Sequence, residues 1–104
     1  MAIDQSLLHK IKTSLRISHA ALDEDLADTV ASCLADLRVC GVKTFDPEDP
    51  ADGFDPLLIN AVKLYCRKEF TDDTAKAAEY QKRYDALKSC LMTAAGYREA
   101  GADE

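Results

Sequence analysis

No stretch of this 104-residue sequence approaches the roughly 20 consecutive apolar residues that a helix needs to cross a bilayer. The sequence also lacks a glycine-rich phosphate loop, an EF-hand pattern, and a Ser or Cys nucleophile with a base at motif spacing. Its four cysteines contain no Cys-x-x-Cys pair of the kind that binds zinc. The first of these absences excludes a transmembrane helix. The others lead us to expect no catalytic residue, no metal and no cofactor.

The cysteines themselves each fall on or beside an apolar helical stripe, where a free thiol behaves as a small hydrophobic side chain: Cys33, Cys40, Cys66 and Cys90. We expect buried thiols in a reducing cytoplasm rather than disulfides. Residues 1–18 alternate Lys and Arg with apolar residues and show no apolar core followed by a cleavage site, so a secretory signal is not expected. His9 and His19 are interpreted as surface residues.

Apolar residues make up 47% of the chain and charged residues 31%, which is typical of a globular protein. A chain of this length is large enough for one hydrophobic core but not for two. We therefore predict a single helical domain over residues 1–95. The last residues contain almost no large apolar side chain, which predicts a disordered tail over 96–104.

Four segments repeat apolar residues at spacings of three and four, and none alternates as a strand would. The predicted fold is all-α, a bundle of four helices at about 4–17, 22–40, 56–70 and 73–95. Asp55 is a good N-cap, Pro56 suits the first helical position, and Gly41 suits a helix C-terminus. The third helix is apolar nearly all round, so we expect other helices or another subunit to cover it.

Two further segments complete the prediction. In the fourth helix, apolar and small residues step by three and four and so resemble a heptad seam: Ala77, Tyr80, Tyr84, Leu87, Leu91 and Ala94. The loop 42–55 holds two of the three prolines and many acids. It is interpreted as a solvated connector or as a loop that faces a partner, with Asp46, Glu48, Asp49 and Asp52 as its candidate contact residues.

Charge changes sign from segment to segment. Residues 1–19 carry +2, residues 20–55 carry −8 and residues 56–71 carry +2, within a net charge of −6. Basic and acidic segments on different flanks of a subunit favour head-to-tail contacts, which close into rings. The candidate interface residues are Lys63, Arg67 and Lys68 on one side and Asp23, Glu24 and Asp28 on the other. Glu24 and Asp28 are spaced to share a metal ion, but without a His partner they are better explained as acids that favour a helix N-terminus.

Three stretches of the sequence, in order, form a recognisable pattern. The first comprises LRISH (15–19), LDEDL (22–26), CLADL (33–37) and GV (41–42). The second is DPLLINAVKLYC (55–66), and the third is YQKRYDALK (80–88). Together they resemble the head–tail connector proteins of tailed phages, which are also called DNA-packaging or head-completion adaptor proteins. The resemblance spans residues 7 to about 92, and the loop 43–55 matches least.

The resemblance implies a structural protein without catalytic residues that forms a ring, of about 12 subunits, beneath the portal of a phage head. The ring would extend the DNA channel, let DNA pass without specific binding, and dock the next head-completion or tail protein. It would occupy the host cytoplasm during assembly and then the virion. Two alternatives stay open: a small helical DNA-binding regulator, and a protein-interaction module unrelated to phages.

Overall fold

The structure is a computed structural model, and it describes residues 4–18, 20–44 and 55–94. The chain forms α1 (Gln5–Leu15), α2 (Asp23–Val39), α3 (Pro56–Phe70) and α4 (Thr74–Thr93). The predicted all-α fold is confirmed, and the bounds of α3 are those predicted. The predicted tail 96–104 and residues 45–54 of the predicted loop lie outside the described residues.

Aspartate side chains cap three of these helices at their N-termini. Asp4 accepts hydrogen bonds from the backbone N–H groups of the first turn of α1, and Asp55 accepts one from Leu57 N at 2.8 Å. Asp73 accepts from Ala75 N at 2.9 Å and from Lys76 N at 3.1 Å at the start of α4. Each cap satisfies backbone donors that have no partner inside the helix.

The C-terminus of α2 is closed by the glycine that the sequence analysis selected. Gly41 takes a left-handed conformation, with φ 86°. Its N–H donates to Arg38 O and the N–H of Val42 donates to Leu37 O, both at 3.0 Å. This pattern is a Schellman motif, and the full burial of Val42 supplies the apolar contact that accompanies it.

The prediction for the end of α1 was wrong by two residues. Arg16 takes the left-handed conformation, with φ 60°, and it is the one described non-glycine residue with positive φ. The N–H of Ile17 then donates to Lys12 O at 2.9 Å, which closes the helix as glycine does in α2. The helix ends here because a left-handed residue breaks the ladder of backbone hydrogen bonds.

The third helix is central, as predicted, and α1, α2 and α4 each pack against it. It contributes Leu58, Ile59, Ala61, Val62 and Cys66 to the buried core. The fourth helix lies against α3 and buries only Tyr84 and Leu91 of its predicted seam. The other four seam residues are half-buried, because α4 forms an outer layer.

The directions of the helices follow from cross-helix contacts. Lys12 pairs with Asp23 at 2.8 Å, Arg67 donates to Ser14 at 2.9 Å, and the Arg67 guanidinium lies 6.0 Å from the centre of the Tyr80 ring. Four helix termini therefore meet at one end of the bundle: the C-termini of α1 and α3 and the N-termini of α2 and α4. A cleft opens at this end, which we call the cleft end. The opposite end of the bundle is called the far end.

Candidate functional site

Two of the three predicted basic interface residues share a surface on α3. Lys63 and Arg67 are four residues apart and so lie on one face of the helix. Around the axis of α3, Arg67 lies about 180° from buried Leu58. Lys63 lies about 200° from buried Ala61, although it is only about one turn from buried Ile59. Both basic side chains are half-buried. We call this surface the basic face.

Lys68 lies elsewhere. It comes seven residues after Ala61, which is about two full turns, so Lys68 lies on the same side of α3 as this buried residue. Its Nζ sits 4.0 Å from the centre of the Tyr65 ring and 3.2 Å from a Glu69 carboxylate oxygen. Only 13% of the Lys68 side chain is exposed. The structure thus separates Lys68 from the other two candidates.

The predicted acidic residues divide in the same way. The side chain of Asp23 is 35% exposed, but its Oδ1 is buried and forms an ion pair with Lys12 Nζ of the same subunit at 2.8 Å. Glu24 and Asp28 are exposed and form no ion pair within the described ranges. Around the axis of α2, Glu24 lies about 180° from fully buried Cys33, and Asp28 lies about 180° from fully buried Leu37. We call the surface of Glu24 and Asp28 the acidic face.

The acidic and basic faces lie on opposite sides of the α2–α3 pair. Cys33 Sγ approaches Ala61 O at 4.0 Å where the two helices meet. The acidic face points away from Cys33, and Lys63 points away from Ala61. One side of the pair therefore presents carboxylates and the other presents cations. The candidate loop acids, Asp46, Glu48, Asp49 and Asp52, lie outside the described residues.

A cleft of about 590 Å³ opens at the cleft end between α1, α3 and the start of α4. Its charged lining consists of Arg16, Arg67, Lys76 and Asp72. None of the three cations forms an ion pair among the residues that the structure describes. Sequence reasoning missed this cleft because the three cations belong to three different helices.

The far end has a different chemistry. Tyr65 and Tyr84 meet at 5.3 Å between ring centres, and Arg67 meets Tyr80, so α3 and α4 run antiparallel. Leu57 and Met92 consequently lie level with each other at the far end. The three exposed large apolar side chains of the described ranges are all at this end: Val39, Leu57 and Met92. The two ends of the subunit thus differ, one lined with cations and the other partly apolar.

A half-buried polar network joins α2 to α4. Tyr84 Oη donates to Asp36 Oδ2 at 2.7 Å, and Lys88 Nζ donates to the same oxygen at 3.1 Å. Burial by itself would raise the pKa of Asp36, but the hydrogen bonds from Tyr84 and Lys88 and the lysine charge outweigh it and lower this pKa. Burial raises the pKa of Tyr84, which remains a neutral donor. The network fixes α4 against α2.

All four cysteines are free thiols, as expected, but only Cys33 and Cys66 are buried. Cys40 is half-buried and Cys90 is exposed, so the prediction of four buried thiols was wrong for these two. Cys90 is exposed because α4 is an outer helix. Burial raises the pKa of Cys33 and of Cys66 to about 12, which keeps both thiols protonated at neutral pH and unsuited to nucleophilic attack.

Comparison with known proteins decides the family. The family model described as "Phage connector protein" matches residues 7–98. The chain belongs to the phage connector protein family. No curated protein and no solved structure matches it. The resemblance noted in the sequence is thereby confirmed at the level of the family.

The connector family is structural, so this chain is assigned a structural role in phage particles and an association with the virion. Within the described parts of this connector protein, no group of three or more His, Cys, Asp or Glu side chains could hold a metal ion. His9 is exposed, as expected, whereas His19 lies outside the description. None of the described helices is long and apolar enough to cross a membrane.

Proposed function

We propose that this connector protein forms a closed ring beneath the portal of a phage head, extends the DNA channel, and docks the next head-completion or tail protein. Family membership supports the general role. The observation that supports the ring is the placement of the acidic face and the basic face on opposite sides of the α2–α3 pair. Such a subunit can bind the next copy head-to-tail, and heterologous contacts of this kind close into rings of, for example, about 12 subunits.

The proposed contact joins Glu24 and Asp28 of one subunit to Lys63 and Arg67 of the next. Each such surface pair contributes only about 0.2–1 kcal/mol, because water and salt screen exposed charges. Charge complementarity therefore sets the orientation and the rate of association more than the affinity. Assembly should accordingly slow as salt concentration rises.

The two ends of the subunit suit an adaptor between unlike proteins. If the ring axis runs along the bundle, the cationic cleft end faces one neighbour in the particle and the partly apolar far end faces the other. We include the acids Asp46, Glu48, Asp49 and Asp52 in this proposal as residues of a loop that faces a partner or the channel. A net charge of −6 is compatible with a channel through which DNA slides, because it repels phosphate.

The alternative role as a DNA-binding regulator is disfavoured by the position of α3. A recognition helix must be free to enter the major groove. The helix with Lys63 and Arg67 is instead covered on three sides by α1, α2 and α4.

Charge reversal tests the ring contact. Lys63→Glu should abolish the large oligomer, and so should Glu24→Lys combined with Asp28→Lys, because each brings like charges together at every contact around the ring and the small cost per contact is multiplied. Lys82→Glu, on the exposed side of α4, is the control with the same change of charge and should leave the oligomer intact. The measurement is mass by native mass spectrometry and light scattering.

Mixing the two reversed proteins should restore association, because their altered faces are again complementary. Oligomers that survive both reversals would contradict the proposed contact. So would loss of the oligomer with the Lys82→Glu control alone.

A further inference from the structure

The cleft at the cleft end is mostly polar and combines three cations with a few half-buried apolar side chains. Arg16, Arg67 and Lys76 supply the charge, and Leu15, Phe70 and Tyr80 are half-buried side chains of the same wall. The chain has a net charge of −6, yet three cations line this one concavity, and none of them has an acidic partner in the described part. Among the described residues that line the cleft, Asp72 is the only one with a carboxylate.

One of the three cations, Arg67, is held in place before any ligand arrives. Its Nε donates to Ser14 Oγ at 2.9 Å, and its guanidinium lies 6.0 Å from the centre of the Tyr80 ring. The terminal nitrogens of the guanidinium still offer a planar pair of donors for a carboxylate. Asp73 already caps the N–H groups at the start of α4, so side chains rather than the helix terminus would provide the contacts.

Arg16 gives an independent reason to look here. It adopts φ 60°, a conformation that glycine takes without cost and that an arginine takes at a penalty. Closing α1 does not require an arginine, because Gly41 performs the same task at the end of α2. The residue placed at this unfavourable position is one whose cation lines the cleft. A strained residue at a concave site is a reason to infer a function.

We propose that this cleft docks an acidic peptide segment of a neighbouring phage assembly protein, with carboxylates on the three cations and an apolar side chain against Phe70 and Leu15. Charge complementarity selects an anionic occupant, and the half-buried Leu15 and Phe70 offer an apolar contact that a peptide side chain can make and a polyphosphate backbone cannot. The net negative charge of the chain also repels DNA at long range. The inference rests on the proposed adaptor role only for the source of the peptide. The cleft shares Arg67 with the proposed ring contact, so the test changes only Arg16 and Lys76, which that contact does not use.

The test uses the full chain and a fluorescein-labelled, glutamate-rich peptide built around a central phenylalanine. The variant combines Arg16→Gly with Lys76→Ala. Removing the two cations should weaken peptide binding, measured by fluorescence anisotropy, by about tenfold or more. The melting temperature should not fall, because glycine relieves the backbone penalty at position 16 and alanine is favoured inside a helix. Weaker binding therefore cannot be ascribed to unfolding.

A double control, Lys10→Ala with Lys82→Ala, removes two exposed cations outside the cleft and should leave binding unchanged. The same peptide with glutamine in place of glutamate should bind much more weakly. Equal binding of the cleft variant and the wild type would overturn the proposal. Loss of duplex DNA binding in the cleft variant, with peptide binding intact, would overturn it in favour of a phosphate site.

Failure here can be told apart from failure of the ring. The masses of the wild type and of the cleft variant are also measured by native mass spectrometry, and the two proteins should form the same oligomer. Unchanged peptide binding with intact rings overturns only the cleft proposal. Loss of rings in Lys63→Glu with peptide binding retained supports a ring contact and a peptide site that can be lost independently.

Discussion

Asp36 accepts hydrogen bonds from two side chains of α4, and this pairing ties a part of the stability to pH. Folding lowers the pKa of Asp36 below its ordinary value of 3.8, because Tyr84 and Lys88 favour the ionised carboxylate despite its partial burial. A group whose pKa is lower in the folded state stabilises the fold above its unfolded pKa. That stabilisation is lost as pH falls below about 4 and through the folded-state pKa.

Asp36→Asn should lower the free energy of unfolding at neutral pH by about 1 kcal/mol, since the carboxylate is partly exposed and solvent screens its charge. The variant should also lose part of the decline in stability between neutral and acidic pH. Urea unfolding across this range measures both effects. Asp85→Asn is the control, because Asp85 is exposed and its side-chain partner is the neutral Gln81. An unchanged pH profile for Asp36→Asn would contradict this role.

At the scale of the element, the cap of α4 is the simplest device to test. Asp73 accepts two backbone N–H groups, whereas its neighbour Asp72 caps nothing. Asp73→Ala should lower the free energy of unfolding by about 1 kcal/mol, the usual value of an N-cap. Asp72→Ala should change the free energy of unfolding by no more than about a few tenths of 1 kcal/mol. Equal effects of the two substitutions in chemical denaturation would show that the cap does not stabilise α4.

The helices that carried explicit local signals were the ones predicted best. Asp55 followed by Pro56 marked the start of α3, and Gly41 marked the end of α2, because each residue type satisfies a particular backbone geometry. Arg16 gave no such signal. An arginine in the left-handed conformation cannot be distinguished by sequence from one inside a helix, so α1 was predicted too long.

At the scale of the whole molecule, the sequence showed that charge alternates but not where the charges would lie. Lys68 is adjacent to Arg67 in sequence, yet its side chain turns to the Tyr65 ring on another side of α3. Asp23 is adjacent to Glu24, yet it is paired internally with Lys12. The cleft depends on the packing of three helices against one another, and no local pattern encodes it.

These placements leave one subunit with two opposed charged faces and two unlike ends. Opposed faces make self-association directional, because the acidic face cannot pair with itself. Unlike ends allow different neighbours above and below a ring. The proposed function therefore requires, first of all, that this connector protein associates head-to-tail into a closed assembly.

The most direct measurement is the mass of the purified wild-type protein over a wide range of concentrations, with negative-stain images of any large species. We expect closed rings of about a dozen subunits, which should form more slowly as the salt concentration is raised. A twofold symmetric dimer, or a monomer at every concentration, would contradict this expectation.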